Sequence, residues 1–399
     1  MQKLYKYLMI ISFLSIIFFG GIMTLTKKQV LVSAVENRNL TPKPVVTKEG
    51  LVSGTLFSDF DSYFRDQFIG RSKWIKTSSK LDLALGKKRF VDVVRGKDGW
   101  LLTFNPFNPT LEEKKLQEDV DYSVNEMKLL QQHIEKNGGT FVFAGIPAQS
   151  YFNADNYLGY LDNNLYYYNT LDKMFFGGLS NSGVNGINMK DTFSEYDGQL
   201  YYKTDHHYNF RGAQLTYSTI INNLKSKGVN IDKPYSVEDF NPRKINKPFQ
   251  GSWNAKMNWL YKSDDFVELP NPKFKTPAYK KFVNGKEDNR LYYYNDKDKN
   301  VSYAAFMNGD KAETVIRTNR KELPKALIFG DSFTNGVEPM LFLHFDETRI
   351  LDLRYYKEKS LYSYIEEYKP EVVIFIMGST VYAFREGNSD FRGVTLEKK

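Results

Sequence analysis

The apolar residues of this 399-residue chain fall into three patterns, and each predicts a different element. Residues 7 to 25, "YLMIISFLSIIFFGGIMTL", form an uncharged block of 19, long enough to cross a hydrocarbon core as a helix. Helical spacing governs Phe57, Phe60, Phe64, Phe68, Trp74 and Leu81. It returns at Val120, Val124, Met127, Leu130 and Ile134, and again at Tyr217, Ile220, Ile221 and Leu224. Gly138-Gly139 and Gly228 close the last two helices. The third pattern is the short unbroken apolar run: "TFVFAGIP" (140 to 147), "ALIF" (326 to 329), "RILDL" (349 to 353) and "EVVIFIM" (371 to 377). Such runs suit strands covered on both faces of a parallel sheet. A shorter strand is expected near 187 to 189, with helices near 337 to 345 and 360 to 368. "GKDGWLL" (96 to 102) reads as a turn into a strand. Alternating helix and strand predict a doubly wound α/β domain, with ligands at the carboxyl ends of its strands. Residues 229 to 323 break the rhythm. Their Asn-Gly pairs at 284 and 308 and a "LYYY" run predict an insertion with hairpins.

Charge refines the N-terminus only slightly. Lys3 and Lys6 precede the apolar block and Lys27 and Lys28 follow it, so the positive-inside signal is nearly flat. A cleavable signal peptide and a retained anchor both fit. The only candidate cleavage site, "VSA" at 32 to 34, lies beyond the two lysines, which favours the anchor. The expected order is a cytoplasmic tail (1 to 6), a transmembrane anchor (7 to 25), a tether (26 to 50) and one domain (51 to 399, insertion about 229 to 323). Pro42 and Pro44 discourage regular structure in the tether. The protein is then a single-pass cell-membrane protein with an extracytoplasmic domain. The chain has no cysteine, which excludes disulfides, thiolate metal sites and cysteine nucleophiles. Its net charge of +8 is spread among acidic residues rather than gathered in a basic block, which argues against nucleic-acid binding. The 28 tyrosines suit packing and β-structure first, and stacking on sugars second.

Candidate chemistry gathers in two places. "YKTDHHYNFRGA" (201 to 212) holds Asp205, His206 and His207. "GDSFTNG" (330 to 336) places Ser332 on a strand-to-helix turn after an expected core strand. There Gly330 tolerates unusual dihedrals, and the next helix aims its first amides at the serine oxygen. A serine hydroxyl needs a base, and the base needs a third group to fix its tautomer. In an extended segment residues two apart share a face, so Asp205 and His207 would lie side by side and His206 would point elsewhere. Three other readings stay open: a metal site from Asp205, His206 and His207, purely structural histidines, and a serine that only caps a helix. Asn209 reads as the N-cap of the helix that follows.

"TDHHYN" followed some 120 residues later by "GDSF" resembles the DHHW family and the related alginate O-acetyltransferases AlgX and AlgJ, within the SGNH hydrolase superfamily. "ENRNL" (36 to 40), "YFRDQFIGR" (63 to 71), "GKDGWLL" and "GIPAQSYF" (145 to 152) look like the family's upstream segments. The resemblance implies an SGNH-like fold in which Ser332, His207 and Asp205 carry the triad roles, with no cofactor and no metal. It also implies O-acetyl transfer to a cell-envelope polysaccharide, the acetyl groups being carried across the membrane by a membrane-bound O-acyltransferase partner. An O-acetyl esterase would need the same triad, and a non-catalytic glycan-binding or scaffold protein could keep the same fold. Tyr208 stands where the family usually has Trp, which implies altered packing or an altered sugar contact. For the oxyanion, the backbone amide of Ser332 is the first candidate donor, with Gly378 and Ser379 as additions.

Overall fold

A computed structural model describes residues 2–33, 38–90, 92–104, 111–161, 163–295 and 297–393. The last residue of the candidate cleavage site, Ala34, and the start of the "ENRNL" segment lie outside them. The chain divides into two compact units, Met1–Val91 with Asn254–Lys262, and Asp92–Trp253 with Ser263–Lys399.

The first unit is helical. Helix α1 (Gln2–Thr26) contains the apolar block, and its stretch Leu4–Thr26 is long and apolar enough to cross a membrane. Helices α2 (Thr55–Gln67) and α3 (Arg71–Ala84) form where helical spacing predicts them. Their joint to α1 is specific. Thr24 is fully buried; its carbonyl accepts from the Tyr63 hydroxyl at 3.1 Å and its Oγ1 accepts from the Ile69 amide at 3.1 Å. The segment expected as a tether is fastened to α2 as well. Gln67 bonds both the amide and the carbonyl of Val30, and Asp66 accepts from the Thr41 amide and hydroxyl. The residues α2 buries are Leu56, Tyr63, Asp66 and Gln67, and α3 buries only Ser79. Of the helically spaced residues, Phe57, Trp74 and Leu81 are exposed while Phe60 and Phe64 are half-buried, because spacing reveals that residues share a face and not what that face meets.

The second unit is a three-layer α/β domain. Among the described residues its main sheet has eight strands: β1 (Thr140–Ile146), β2 (Gly186–Asn188), β3 (Lys280–Val283), β4 (Lys286–Glu287), β5 (Glu313–Arg317), β6 (Ala326–Gly330), β7 (Glu347–Leu351) and β8 (Val372–Gly378). Their order is β4-β3-β5-β7-β6-β8-β1-β2. Side chains alternate across the sheet, as the two-residue period of a strand requires. Val142, Ala144, Ile328, Ile374 and Ile376 face one layer, where α6 (Phe210–Ser226) and α7 (Thr334–Leu341) supply Tyr217, Ile220, Val337 and Met340. Phe141, Phe143, Phe329, Val373 and Phe375 face the other. That layer comprises α4 (Glu113–Lys136), α5 (Leu165–Asn181) and α8 (Leu361–Tyr368). Burial on both faces is why these strands read as unbroken apolar runs.

The sheet is mixed rather than wholly parallel. β7-β6-β8-β1-β2 are parallel, but β5 pairs antiparallel with β7, and β3 pairs antiparallel with β5. These antiparallel strands come from the stretch read as an insertion, which therefore completes the sheet edge. Asn284-Gly285 makes the β3–β4 hairpin turn with both φ angles positive (47° and 77°), as the pair predicts. The rest of the stretch has a small core of its own around Phe249, Val267, Leu269 and Phe306.

Candidate active site

Ser332 sits in the turn between β6 and α7, at the carboxyl end of a central strand. Gly330 makes that turn possible. Its φ is 152°, and a Cβ there would lie 1.8 Å from the Ile376 carbonyl oxygen of β8. No L side chain fits. Asp331 braces the turn from below: Oδ1 accepts from the Phe333 amide at 3.0 Å and Oδ2 from the Gly378 amide at 2.8 Å. Burial nevertheless pushes the Asp331 carboxyl up, against those two amides. Gly378 thus spends its N–H on Asp331, which removes it as an oxyanion donor. Ser379 is buried, with its hydroxyl unpartnered among the described residues.

The histidine segment arrives by a different route from the one expected. Residues 203 to 207 form a turn between the bridged residues Tyr201 and Tyr208, not a strand. Asp205 and His207 meet because the turn folds back, the Asp205 carboxylate accepting from the His207 amide at 2.9 Å. The same oxygen lies 2.5 Å from His207 Nδ1, and His207 Nε2 lies 2.6 Å from Ser332 Oγ. Asp205 and His207 are both buried and Ser332 is half-buried. Burial alone would raise the Asp205 carboxyl; the facing His207 and, less strongly, His206 outweigh it and hold it well below the usual carboxylate range. An ionised carboxylate only accepts hydrogen bonds, so Nδ1 carries the imidazole proton and Nε2 is left to accept from the serine hydroxyl. That arrangement can draw a proton from Ser332.

Several neighbours had no sequence signal strong enough to single them out. Ser252 donates its amide to the second Asp205 oxygen at 2.6 Å, and its hydroxyl lies 2.8 Å from His206 Nδ1. Gly251 permits this approach, since a Cβ there would lie 2.0 Å from the Thr204 carbonyl oxygen. Asp265 pins the turn by accepting from the Lys203 and Thr204 amides and the Thr204 hydroxyl. Tyr303 stacks flat on His207, with ring centroids 3.8 Å apart and planes 4° apart, fixing the imidazole plane. All of these come from 229–323, the stretch read from the sequence only as an insertion with hairpins. His206 does not point away: its ring centroid is 3.8 Å from that of His207. Tyr208 is buried and donates its hydroxyl to the Phe333 carbonyl, so it braces the nucleophile turn rather than meeting a sugar. Asn209 caps α6 as expected, accepting from the Arg211 and Gly212 amides.

Asp205, His206 and His207 also bring one potential ligand atom each within 4.8 Å of one another. The donors fit an ion poorly. His207 commits one ring nitrogen to Asp205 and the other to Ser332, and His206 Nδ1 is engaged by Ser252. The remaining histidines are elsewhere. His344 is buried against the Tyr217 hydroxyl, its pKa lowered to about 4 by burial, which marks a neutral packing residue.

Residues 93–244 match the family described as "SGNH hydrolase-like domain, acetyltransferase AlgX", a span that contains Asp205 and His207 but stops short of Ser332. PatB1 of Bacillus cereus is 26% identical, with a TM-score of 0.60 over 73% of this chain and 96% of that one. The same protein with a sulfonyl adduct gives 23% identity and a TM-score of 0.62, over 75% and 98%. A DHHW family protein from Eubacterium siraeum shares the fold at 17% identity and a TM-score of 0.51, over 73% and 91%. No curated protein matches the chain. The resemblance read from the motifs holds, and the domain has the SGNH-like α/β fold with a mixed sheet.

Proposed function

We propose that this protein is an extracytoplasmic O-acetyltransferase acting on a cell-envelope polysaccharide through an acetyl-Ser332 intermediate. The observation that carries the reading is the continuous relay from Ser332 Oγ through His207 to Asp205, at 2.6 and 2.5 Å. The matched family description, an acetyltransferase, supports the reaction class. In the first half-reaction Ser332 Oγ attacks the acetyl carbonyl while His207 Nε2 takes its proton, and the backbone amide of Ser332 steadies the oxyanion. The tetrahedral centre collapses, His207 returns the proton to the departing donor, and the acetyl ester of Ser332 remains. A sugar hydroxyl then attacks that ester, gives its proton to His207, and leaves as the acetylated sugar while Ser332 Oγ is reprotonated.

The topology follows from the same reading: residues 1–6 inside, 7–25 as a retained anchor, and the remainder outside. Acetyl donors made in the cytoplasm must then cross the membrane, which calls for a membrane-bound acyltransferase as partner. The test is to incubate the purified chain with an activated acetyl ester and a polysaccharide fragment, counting acetyl transferred against acetate released. Transfer exceeding hydrolysis, with acetyl on Ser332 by mass spectrometry and none in Ser332→Ala, is expected. Acetate alone would make the protein an esterase, and no acyl-serine at all would refute the nucleophile.

A further inference from the structure

The outward apolar face of the first unit has no role in the chemistry above. Helix α3 is turned inside out for a water-soluble helix. Its one buried residue is Ser79, while Trp74 is 67% exposed and Leu81 60%, with Leu85 just past its end at 76%. At 3.6 residues per turn those three side chains fall within roughly 40° of one another, a stripe along the whole helix. Lys73 and Lys80, both exposed, lie roughly 100–120° round the helix from Trp74, along one flank of the stripe. Phe57 on α2 is 68% exposed as well.

Two observations say what covers this face. The first is continuity with α1. Phe68 ends α2 with its ring against Gly20 of α1, 3.3 Å from where a Cβ would stand, and the next residue, Ile69, bonds Thr24. Helix α3 therefore starts two residues beyond a fixed joint at the outer end of the apolar helix. The second is charge. This unit carries 17 Lys and Arg against six Asp and Glu, so it holds more than the whole chain's excess of +8. A basic helix with Trp and Leu on one face, fixed beside a membrane-spanning segment, has the composition of an interfacial helix. Trp is the side chain most at home at headgroup level.

We propose that α3 lies on the bilayer that carries α1, with Trp74, Leu81 and Leu85 at the headgroup–acyl boundary and Lys73 and Lys80 on the flank against anionic headgroups. The proposal rests on α1 being a retained anchor. It fixes the orientation of α3: were α3 to stand upright, Leu85 would be roughly 16 Å farther from the membrane than Trp74, at 1.5 Å per residue.

The absence of native cysteine makes the test direct. The full chain is reconstituted alone in phosphatidylcholine–phosphatidylglycerol vesicles. It carries one fluorophore at Ile16→Cys, Trp74→Cys, Leu81→Cys, Leu85→Cys or, as a water-facing control on β4, Glu287→Cys. Labels at 74, 81 and 85 should be quenched roughly twofold or more by headgroup-depth lipid nitroxides and shielded from iodide, with 287 the reverse. Labels at 81 and 85 that behave like 287 while 16 is quenched would overturn the docking and leave the anchor standing. An iodide-accessible label at 16 would remove the anchor and the proposal together. Labels shielded from both quenchers would mean that a second protein copy covers the face, which also overturns it. Brominated lipid offers a label-free check on the intact protein: it should quench native tryptophan fluorescence, and Trp74→Phe should lose most of that quenching.

Discussion

Replacing Asp205 with asparagine exchanges one oxygen for an amide NH2, and the structure allows only two ways to place it. Asp205 accepts His207 Nδ1–H and the His207 amide on one oxygen and the Ser252 amide on the other. If the remaining oxygen stays on His207, the new NH2 opposes the Ser252 N–H, two donors face to face in a buried site. That costs about 1–3 kcal/mol of stability and little chemistry. If the amide turns over, its NH2 faces Nδ1, the imidazole proton moves to Nε2, and Ser332 meets a donor where it needs an acceptor. The same exchange in a serine-protease triad lowers turnover by about 10⁴. At 1.36 kcal/mol per decade that is about 5.5 kcal/mol of barrier. Hydrolysis of a small acetyl ester by Asp205→Asn should therefore fall by about 10³ to 10⁴, whereas Ser332→Ala and His207→Ala should fall toward about 10⁶. A thermal melt of each variant separates chemistry from unfolding. The sign with pH is fixed too. Asp205 has a folded pKa below its unfolded value, so its stabilisation is present above about pH 4 and is lost as pH falls toward the folded pKa. The stability deficit of Asp205→Asn should narrow below that point. An Asn variant within tenfold of the parent activity would show that Asp205 does not set the tautomer of His207.

The remaining expectations concern neighbours of the relay. His206→Ala loses one hydrogen bond to Ser252, worth about 1 kcal/mol, so ester hydrolysis should fall by less than about tenfold and should be indifferent to chelators; loss to a chelator with recovery by one divalent ion would install the metal reading instead. Glu338 on α7 is buried, which raises its pKa to about 7 despite the Thr334 hydrogen bond. Its protonated form thus adds stability below about pH 4.5 that is lost as pH rises through about 7, about 3 kcal/mol in all; Glu338→Gln should flatten the melting temperature over that range. Gly330→Ala combines a disallowed φ with a collision against the Ile376 carbonyl and should cost about 3–5 kcal/mol, read by denaturant melts.

The core of the domain was legible because its signals are local. An unbroken apolar run identifies β1, β6 and β8 without reference to anything else, and the glycine that ends β6 marks the turn that holds Ser332. The Asn284-Gly285 turn was equally plain. β5 was not. Its five residues include the β-branched Thr314, Val315 and Ile316 but carry no record of which neighbour they pair with, or in which direction. Strand direction is settled by where the chain has already gone.

The sequence by itself singled out the residues proposed to carry the chemistry. Asp205, His207 and Ser332 announce themselves by type and by the backbone each needs, and Asn209 by the helix it caps. Only the tertiary structure decided how they meet. A turn rather than a strand sets Asp205 against His207, Ser252 arrives from 47 residues away to complete the carboxylate, and Tyr303 fixes the imidazole plane. The same division explains α2 and α3. Their spacing predicts two helices with apolar stripes, yet the stripe of α3 faces outward, because hydrogen bonds at Thr24, Asp66 and Gln67 fix how the helices leave α1. Periodicity is a property of neighbours along the chain. What a face meets depends on groups far apart in sequence, and only the folded chain brings those together.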